Sequence, residues 1–213
     1  MFIKNCLTPC SQIKPIEVDS SIRKAISHLR TLRLDTIPVV DSAQSFAGIT
    51  GYSYIMKYLL EQEDAHIDHH KWDQPISAAL HPIRPLHILD DFEDTLPYCT
   101  RYPFVPVVEE DGETFAGIVK IGDIEKALTS TYGHEVEGVR FLLGVFIDMP
   151  HQLEQLMNAI KPFDVNIIAI ASFDAGESYI RRILLKVKST PHIQEMEHAL
   201  ERKGFRVLNI KHQ

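Results

Sequence analysis

The sequence predicts a protein of mixed α+β and α/β class, in which a small unit occurs twice and is followed by a different, ferredoxin-like domain. The tripeptide Pro-Val-Val at 38–40 returns at 106–108, and Phe-Ala-Gly-Ile at 46–49 returns at 115–118. In each copy a β-branched run, a polar turn and a second apolar run make the pattern of a β-hairpin. Beyond residue 138 the hydrophobic pattern changes, which indicates a third unit.

The residues around each hairpin complete the same order of strand, helix, strand, strand and helix. Before the first hairpin, the helix-starting cluster at 19–21 precedes an apolar stripe at helical spacing, formed by Ile22, Ala25, Ile26 and Leu29. Before the second hairpin, residues 90–100 predict a poorer helix because a proline interrupts it. After it, Asp123 opens a helix. The stretches Leu-Thr-Pro at 7–9 and Leu-His-Pro at 80–82 are predicted to be irregular.

The C-terminal third predicts the order βαββαβ, which is the ferredoxin-like arrangement of a four-stranded antiparallel sheet with two helices on one face. Its predicted elements are a strand at 139–147, a helix at 153–160, strands at 165–173 and 179–187, a helix from Thr190 to Gly204, and a strand at 205–210. We therefore predict domains at 1–64, 65–134 and 138–213.

Composition and charge exclude several classes of protein. The 213 residues are 45% hydrophobic and 24% charged, with a net charge of 22 − 29 = −7, which is typical of a globular chain. The acidic balance argues against a nucleic-acid or anionic-membrane partner. Because neither a signal-peptide pattern nor an apolar run of about 20 residues is present, we expect a soluble, cytoplasmic protein. Cys6, Cys10 and Cys99 are expected to be reduced thiols.

Two motifs give the chain a family resemblance. The second copy reads Gly-Ile-Val-Lys-Ile-Gly-Asp-Ile at 117–124 after the apolar-Pro strand, and the duplicated unit therefore resembles a tandem pair of CBS domains, the modules named after cystathionine β-synthase. The later Asp-Met-Pro-His-Gln-Leu at 148–153 and Asn-Ile at 166–167 resemble an ACT domain. A CBS pair followed by one ACT domain resembles the acetoin-utilisation protein B family.

The resemblance implies an adenine nucleotide in the second copy, with AMP, ADP, ATP and S-adenosylmethionine as candidate ligands. Asp123 matches the ribose-binding aspartate, and a carboxylate can accept hydrogen bonds from both ribose hydroxyls. Lys120 could contact a phosphate at the adjacent helix N-terminus. Gly117, Val119 and Pro106 complete the expected site. From the residues alone, Asp123 could instead cap its helix, and Lys120 could be a solvated residue at the end of a strand.

The first copy and the ACT-like loop depart from the family patterns. Gly51 and Tyr54 stand where the family has Ser/Thr and Asp, so this site is expected to be empty or closed by the tyrosine ring, with stacking on an adenine as the alternative. His151 replaces the glycine that lets an amino-acid ligand approach the backbone. The ACT-like domain is therefore expected to form a homodimer through sheet edges, with amino-acid sensing as the alternative.

A histidine-rich connector offers the one enzyme-like alternative. His66 and His70, four residues apart, could share a metal on a helix, with Asp64, Asp68 and His69 beside them. A solvated connector explains this cluster better. The chain also contains no nucleophile elbow and no glycine-rich phosphate loop, so we predict no catalytic residue, no metal and no cofactor.

We therefore predict a non-catalytic regulatory protein linked to acetoin or acetate metabolism, acting on an unknown protein target. A ligand-free interaction protein with degenerate CBS sites and a metal-dependent enzyme are the alternatives. Trp72 is expected to anchor the chain beside the second repeat.

Overall fold

The computed structural model describes residues 3–60, 69–146, 150–174, 176 and 180–212. These residues form two compact units, Met1–Glu125 and Lys126–Gln213. The first unit contains both copies of the repeat up to residue 125, and the second contains the remainder of the helix that ends the second copy and the ferredoxin-like domain. The finer division at 1–64, 65–134 and 138–213 remains a prediction.

The first repeat has a three-stranded sheet in the order β2-β3-β4, in which β2 runs parallel and β4 antiparallel to β3. The Ser21 hydroxyl caps α2 by accepting from the Lys24 N–H at 3.2 Å, as the cluster at 19–21 predicted. In chain order the elements are β1 (Thr8–Pro9), α1 (Cys10–Ile13), β2 (Ile16–Glu17), α2 (Ile22–Leu32), β3 (Thr36–Val40), β4 (Phe46–Gly51) and α3 (Tyr52–Leu59), with a 3-10 helix at Ile3–Asn5.

The second repeat follows the same order, with a 3-10 helix in place of the first α-helix. Its elements are β5 (Leu86–His87), the 3-10 helix Phe92–Tyr98, β6 (Phe104–Val108), β7 (Phe115–Lys120) and α4 (Ile121–Thr131), and two further 3-10 helices, His69–Asp73 and Ile76–Ala79, precede them. Pro97 lies inside the Phe92–Tyr98 helix, which confirms the poorer helix predicted there. Helix α4 begins at Ile121, two residues before the predicted start, because β7 leads directly into it.

Each of the two stretches predicted to be irregular pairs with a strand of the other repeat. β1, which precedes the first repeat, pairs with β7 of the second repeat to give the order β1-β7-β6-β5, with Thr8 opposite Ile118. His81, which precedes the second repeat, pairs in the same way with Ile49 of the first, through N···O distances of 2.8 and 3.0 Å. The two repeats therefore exchange their leading segments.

Trp72 packs against the core of the first repeat, among residues such as Ile22 and Leu59. The expectation that it lies beside the second repeat was wrong. Its 3-10 helix is held to the first repeat, because the Lys71 ammonium donates to the Tyr58 carbonyl at 2.8 Å. The segment His69–Asp73 thus belongs structurally to the repeat that precedes it.

The second unit has the predicted ferredoxin-like fold, with the antiparallel strand order β11-β8-β10-β9. Its elements are β8 (Val139–Phe146), α5 (Gln152–Ile160), the 3-10 helix Lys161–Phe163, β9 (Ile167–Asp174), β10 (Ile180–Val187), α6 (Ile193–Arg202) and β11 (Arg206–His212). Gly204, at φ +87°, follows the end of α6 as the sequence predicted. Both helices bury their apolar faces against one side of the sheet.

Candidate functional site

The five residues predicted to bind a nucleotide lie on one β-hairpin and on the first turn of the helix that follows it. Pro106 pairs with Ile118, and the flanking Gly117 and Val119 are buried with it. Lys120 ends β7 and is exposed, whereas Asp123 is half-buried on the first turn of α4. The two charged side chains are thus the members of the set that can meet a solvent-borne ligand.

Asp123 is the third residue of α4. An N-cap residue precedes the first helical residue, so the alternative that Asp123 merely caps the helix does not agree with the structure. A carboxylate in the first turn lies near the positive end of the helix dipole and close to N–H groups that the helix leaves unpaired. This position suits an acceptor that recognises hydroxyl groups beside a bound anion.

Gly117 has a structural reason to be glycine. Its φ is +155°, and a Cβ built on it would lie 2.2 Å from the Thr8 carbonyl oxygen, which is far inside van der Waals contact. Gly48, the corresponding residue of the first repeat, has φ +150° and a Cβ position 2.8 Å from the His81 carbonyl oxygen. Both glycines therefore admit the exchanged segments, and contact of Gly117 with a nucleotide remains a prediction.

The exchange also brings Cys6 next to Asp123. Partial burial raises the pKa of the Cys6 thiol, and the negative charge of Asp123 raises it further. Sequence reasoning could not find this neighbour, because the two residues are 117 positions apart and come together through the pairing of β1 with β7. The N-terminal segment thus passes close to the candidate site.

In the first repeat, aromatic rings occupy the corresponding positions. Tyr54 stands where the second repeat has Asp123, and its ring stacks on His81 with centroids 4.7 Å apart and planes inclined by 12°. The His81 Nε2 lies 3.5 Å from the hydroxyl of Tyr102. Burial raises the pKa of Tyr54, and Tyr102 raises it further, so this phenol stays neutral at physiological pH.

A small cavity of about 280 Å³ adjoins these rings. Its lining consists of Ile83, Arg84, Pro97, Tyr98, Arg101 and Tyr102. The Tyr98 hydroxyl donates to the Arg84 carbonyl at 3.0 Å, which joins two sides of the cavity. The sequence did not single out these residues, because the two groups, at 83–84 and at 97–102, are separate in sequence and meet only in the folded chain.

The histidine connector falls largely outside the described residues, which exclude Asp64, His66 and Asp68 and the side chain of His69. The part of the chain that the structure describes contains no group of three or more His, Cys, Asp or Glu residues arranged to hold a metal. Cys6, Cys10 and Cys99 are free thiols, as predicted. Within the described ranges, no helix has both the length and the apolar character to cross a membrane.

His151 holds the glycine position of the ACT-like loop in a left-handed conformation, with φ +67°. Glycine adopts this region without strain, which explains why a glycine suits the position. The His151 Nδ1 lies 3.4 Å from a carboxylate oxygen of Glu154 on the first turn of α5. Residues 148 and 149 lie outside the described part, and binding of an amino acid at this loop remains untested.

Comparison with known proteins supports the fold. No protein-family model matches the chain. No curated protein is similar to it at a significant level. Among solved structures, a CBS domain-containing protein of unknown function from Bacillus anthracis str. Ames Ancestor is similar with a TM-score of 0.54 and 23% identity, over 61% of this chain and 93% of that one.

Two further similar structures were solved with nucleotides. CbpB in complex with c-di-AMP matches with a TM-score of 0.54 and 19% identity, over 61% of this chain and 85% of that one. CBSX2 in complex with AMP matches with a TM-score of 0.50 and 18% identity, over 60% of this chain and 95% of that one. The duplicated part of the chain therefore has the fold of a CBS-domain pair.

Proposed function

We propose that this chain is a non-catalytic regulatory protein that binds one adenine nucleotide at its second repeat. The observation that carries the proposal is the contrast between the repeats. Asp123 presents a half-buried carboxylate on the first turn of α4, whereas the same position in the first repeat holds Tyr54, whose ring is stacked on His81. Proteins of the same fold solved with AMP and c-di-AMP support adenine nucleotides as the ligand class.

The chemistry of the second repeat suits a ribose phosphate. The Asp123 carboxylate accepts from the two vicinal ribose hydroxyls through charge-assisted hydrogen bonds. A phosphate lies at the N-terminus of α4, where unpaired N–H groups and the helix dipole favour an anion. Lys120, exposed at the end of β7, adds a positive charge there. Pro106 and Val119 are buried, and they support the hairpin that positions Lys120.

Calorimetric titration of the full chain with AMP, ADP, ATP, S-adenosylmethionine and c-di-AMP tests the proposal. We expect one of these to bind with one molecule per chain. Asp123→Ala is expected to weaken binding by about 1.5–3 kcal/mol, the scale of a hydrogen bond to a charged group. Asp94→Ala, which removes an exposed carboxylate from the 3-10 helix of the same repeat, is the matched control and should leave the affinity unchanged.

Unchanged affinity in a folded Asp123→Ala protein would contradict the site. Failure of every nucleotide to bind would instead favour a ligand-free interaction protein. Circular dichroism of the variant separates loss of binding from loss of folding.

The C-terminal unit is proposed to be an ACT domain that supports a homodimer. β9 and β11 are the edge strands of its sheet, and an edge strand offers unpaired backbone groups to a second copy. Light scattering at micromolar concentration should show a dimer. Removal of residues 138–213 should weaken it, whereas a monomeric full-length chain would contradict this part of the proposal.

A link to acetoin or acetate metabolism belongs to the proposal through the family resemblance alone, and a cytoplasmic location belongs to it through the hydrophobic pattern of the sequence. The absence of catalysis is likewise part of the proposal. Metal analysis of the purified protein and of a His66→Ala/His69→Ala/His70→Ala variant addresses it, because stoichiometric zinc or manganese lost on this change, together with a hydrolase activity, would favour the enzyme alternative.

A further inference from the structure

The sheet of the C-terminal unit has one face that its helices leave uncovered. Alternate residues of β8 and β10, among them Phe141 and Leu185, pack under α5 and α6. Because successive side chains of a strand point to opposite faces, Arg140 and Leu184 lie on the other side. This open face consists of cationic and apolar positions on three adjacent strands.

A pocket of about 470 Å³ lies on the open face. It is lined by Tyr132, His134, Arg140, Phe173 and Leu184, so that one guanidinium group is set among two aromatic rings and an aliphatic side chain. Volumes of about 300–1,000 Å³, mostly apolar walls and a few polar groups are typical of small-molecule sites. The lining residues that the structure describes include no carboxylate.

One wall of the pocket is fixed to the sheet by a buried charge. The Lys186 ammonium, on a side chain that is 1% exposed, donates to the Gly133 carbonyl at 2.8 Å. Gly133 has φ +61°, and a Cβ on it would lie 2.5 Å from Ile168, so the segment that carries Tyr132 and His134 sits directly on the sheet. The wall is therefore built into the fold.

Two guanidinium groups on this face retain unused donors. The Nε atoms of Arg140 and Arg182 are buried and have no hydrogen-bond partner among the described residues, although an Arg140 Nη2 donates to the Asn209 side chain at 3.1 Å. In register, Arg182 lies beside Phe173. Arg140 also carries Nη donors, and because its side chain lines the pocket, an anionic ligand can pair with them.

We propose that this pocket binds a small organic monocarboxylate with an aromatic or branched apolar body. The carboxylate lies against the Arg140 guanidinium, which matches its planar geometry, and the apolar body lies between Phe173, Leu184 and Tyr132. A phosphate dianion suits the pocket less well, because the Lys186 ammonium is already engaged by a backbone carbonyl. The inference is independent of the nucleotide proposed for the first unit.

Phenylacetate and its neutral isostere phenylacetamide are suitable probes, with titration of the full chain followed by two-dimensional amide NMR. We expect phenylacetate to bind with a Kd of about 1 mM or tighter, which is a modest binding free energy per atom for a ligand of about ten non-hydrogen atoms. Its shift changes should map to β8, β9 and β10 beside the pocket. Phenylacetamide should bind about tenfold more weakly, because it offers no charge to the guanidinium.

Two variants and one matched control make the assignment falsifiable. Arg140→Gln and Phe173→Ala should each weaken phenylacetate binding about tenfold, and Phe173 is 41% exposed, so the second change spares the core. Ile170→Ala is the control, because Ile170 is 40% exposed on the same strand but pairs with the helix-side residue Leu185. It should leave binding unchanged.

Three results would overturn the proposal: no binding of phenylacetate at about 10 mM, equal affinity for the neutral amide, or shift changes that map elsewhere. A change of oligomeric state caused by Phe173→Ala, with phenylacetate binding unaffected, would also overturn it. That outcome would assign the open face to a second copy of the chain instead.

Discussion

Phe46 and Phe115 hold corresponding places in the two repeats, and their rings stack with centroids 5.5 Å apart and planes inclined by 23°. The backbone joins the repeats at the same point, because the Phe46 N–H donates to the Glu113 carbonyl and the Phe115 N–H to the Gln44 carbonyl, both at 3.0 Å. The turn of each hairpin is thus hydrogen-bonded to the hairpin of the other repeat, and we expect the two repeats to unfold together.

Removal of these rings tests that coupling. Phe115 is 4% exposed, and its change to alanine should lower the free energy of unfolding by about 3–5 kcal/mol. Phe46→Ala should cost less because the ring is only half-buried. In a double-mutant cycle measured by urea unfolding, we expect a coupling of about 0.5–1.5 kcal/mol. Strictly additive effects would show that the stacking adds nothing to stability.

Gly117→Ala should disrupt the pairing of β1 with β7. The added Cβ would collide with the Thr8 carbonyl, and φ is +155°, so we expect a loss of about 1–3 kcal/mol in unfolding free energy. Gly122→Ala is the control: its Cβ would meet nothing within 4 Å, and α4 should gain about 0.5–1 kcal/mol. Equal effects of the two changes on the urea midpoint would contradict this account.

Asp111 should make the second hairpin sensitive to acid. The hydroxyl of Thr114 and the N–H groups of Glu113 and Thr114 donate to its carboxylate and lower its pKa. Because the pKa is lower in the folded state, the stabilisation is present above the unfolded pKa and is lost as pH falls through the folded value.

The measurement compares the Tm of Asp111→Ala with that of the unmodified chain. We expect the variant to melt lower at neutral pH and the difference to vanish in acid, below the ordinary carboxyl pKa of 3.8. Glu110→Ala, which removes the neighbouring exposed carboxylate, should show no such dependence. A Tm difference that persists undiminished in acid would rule out the carboxylate as its source.

Cys6 should report on the charge of Asp123. Burial makes the larger contribution to the raised pKa of the thiol, and the charge of Asp123 makes the smaller one. The thiolate is the form that reacts with alkylating reagents. In a Cys10→Ser/Cys99→Ser background, adding Asp123→Asn should lower the pKa of Cys6 and speed its reaction with iodoacetamide at a fixed, mildly alkaline pH. A bound nucleotide should slow the reaction, whereas full-rate labelling of a saturated protein would place the ligand elsewhere.

The closed first repeat should be convertible into a second site. Tyr54→Asp/His81→Thr gives it the residues that the second repeat has at Asp123 and Thr8, and removes the stacked rings. Calorimetry should then show two nucleotides per chain in place of one. A stoichiometry that stays at one in the folded variant would mean that the rings are not what keeps this repeat empty.

Local patterns predicted the elements well, because hairpins and amphipathic helices depend on neighbouring residues. The repeated Pro-Val-Val strands, the helix capped by Ser21 and the order βαββαβ all agree with the structure. The sequence did not predict the exchange of leading segments. Thr8 pairs with the distant Ile118, and a strand of only two residues has no pattern that indicates its partner. The proximity of Cys6 to Asp123 was hidden for the same reason.

The exchange also sets an order of events at the ribosome. Thr8 lies 118 − 8 = 110 positions before the residue it pairs with, and translation adds about 5–20 residues each second. β1 must therefore wait roughly 5–20 s for its partner, and it docks only after the second repeat has emerged. During that interval β1 has no partner strand, so a pause in synthesis between the two repeats would leave it free to mispair with another copy.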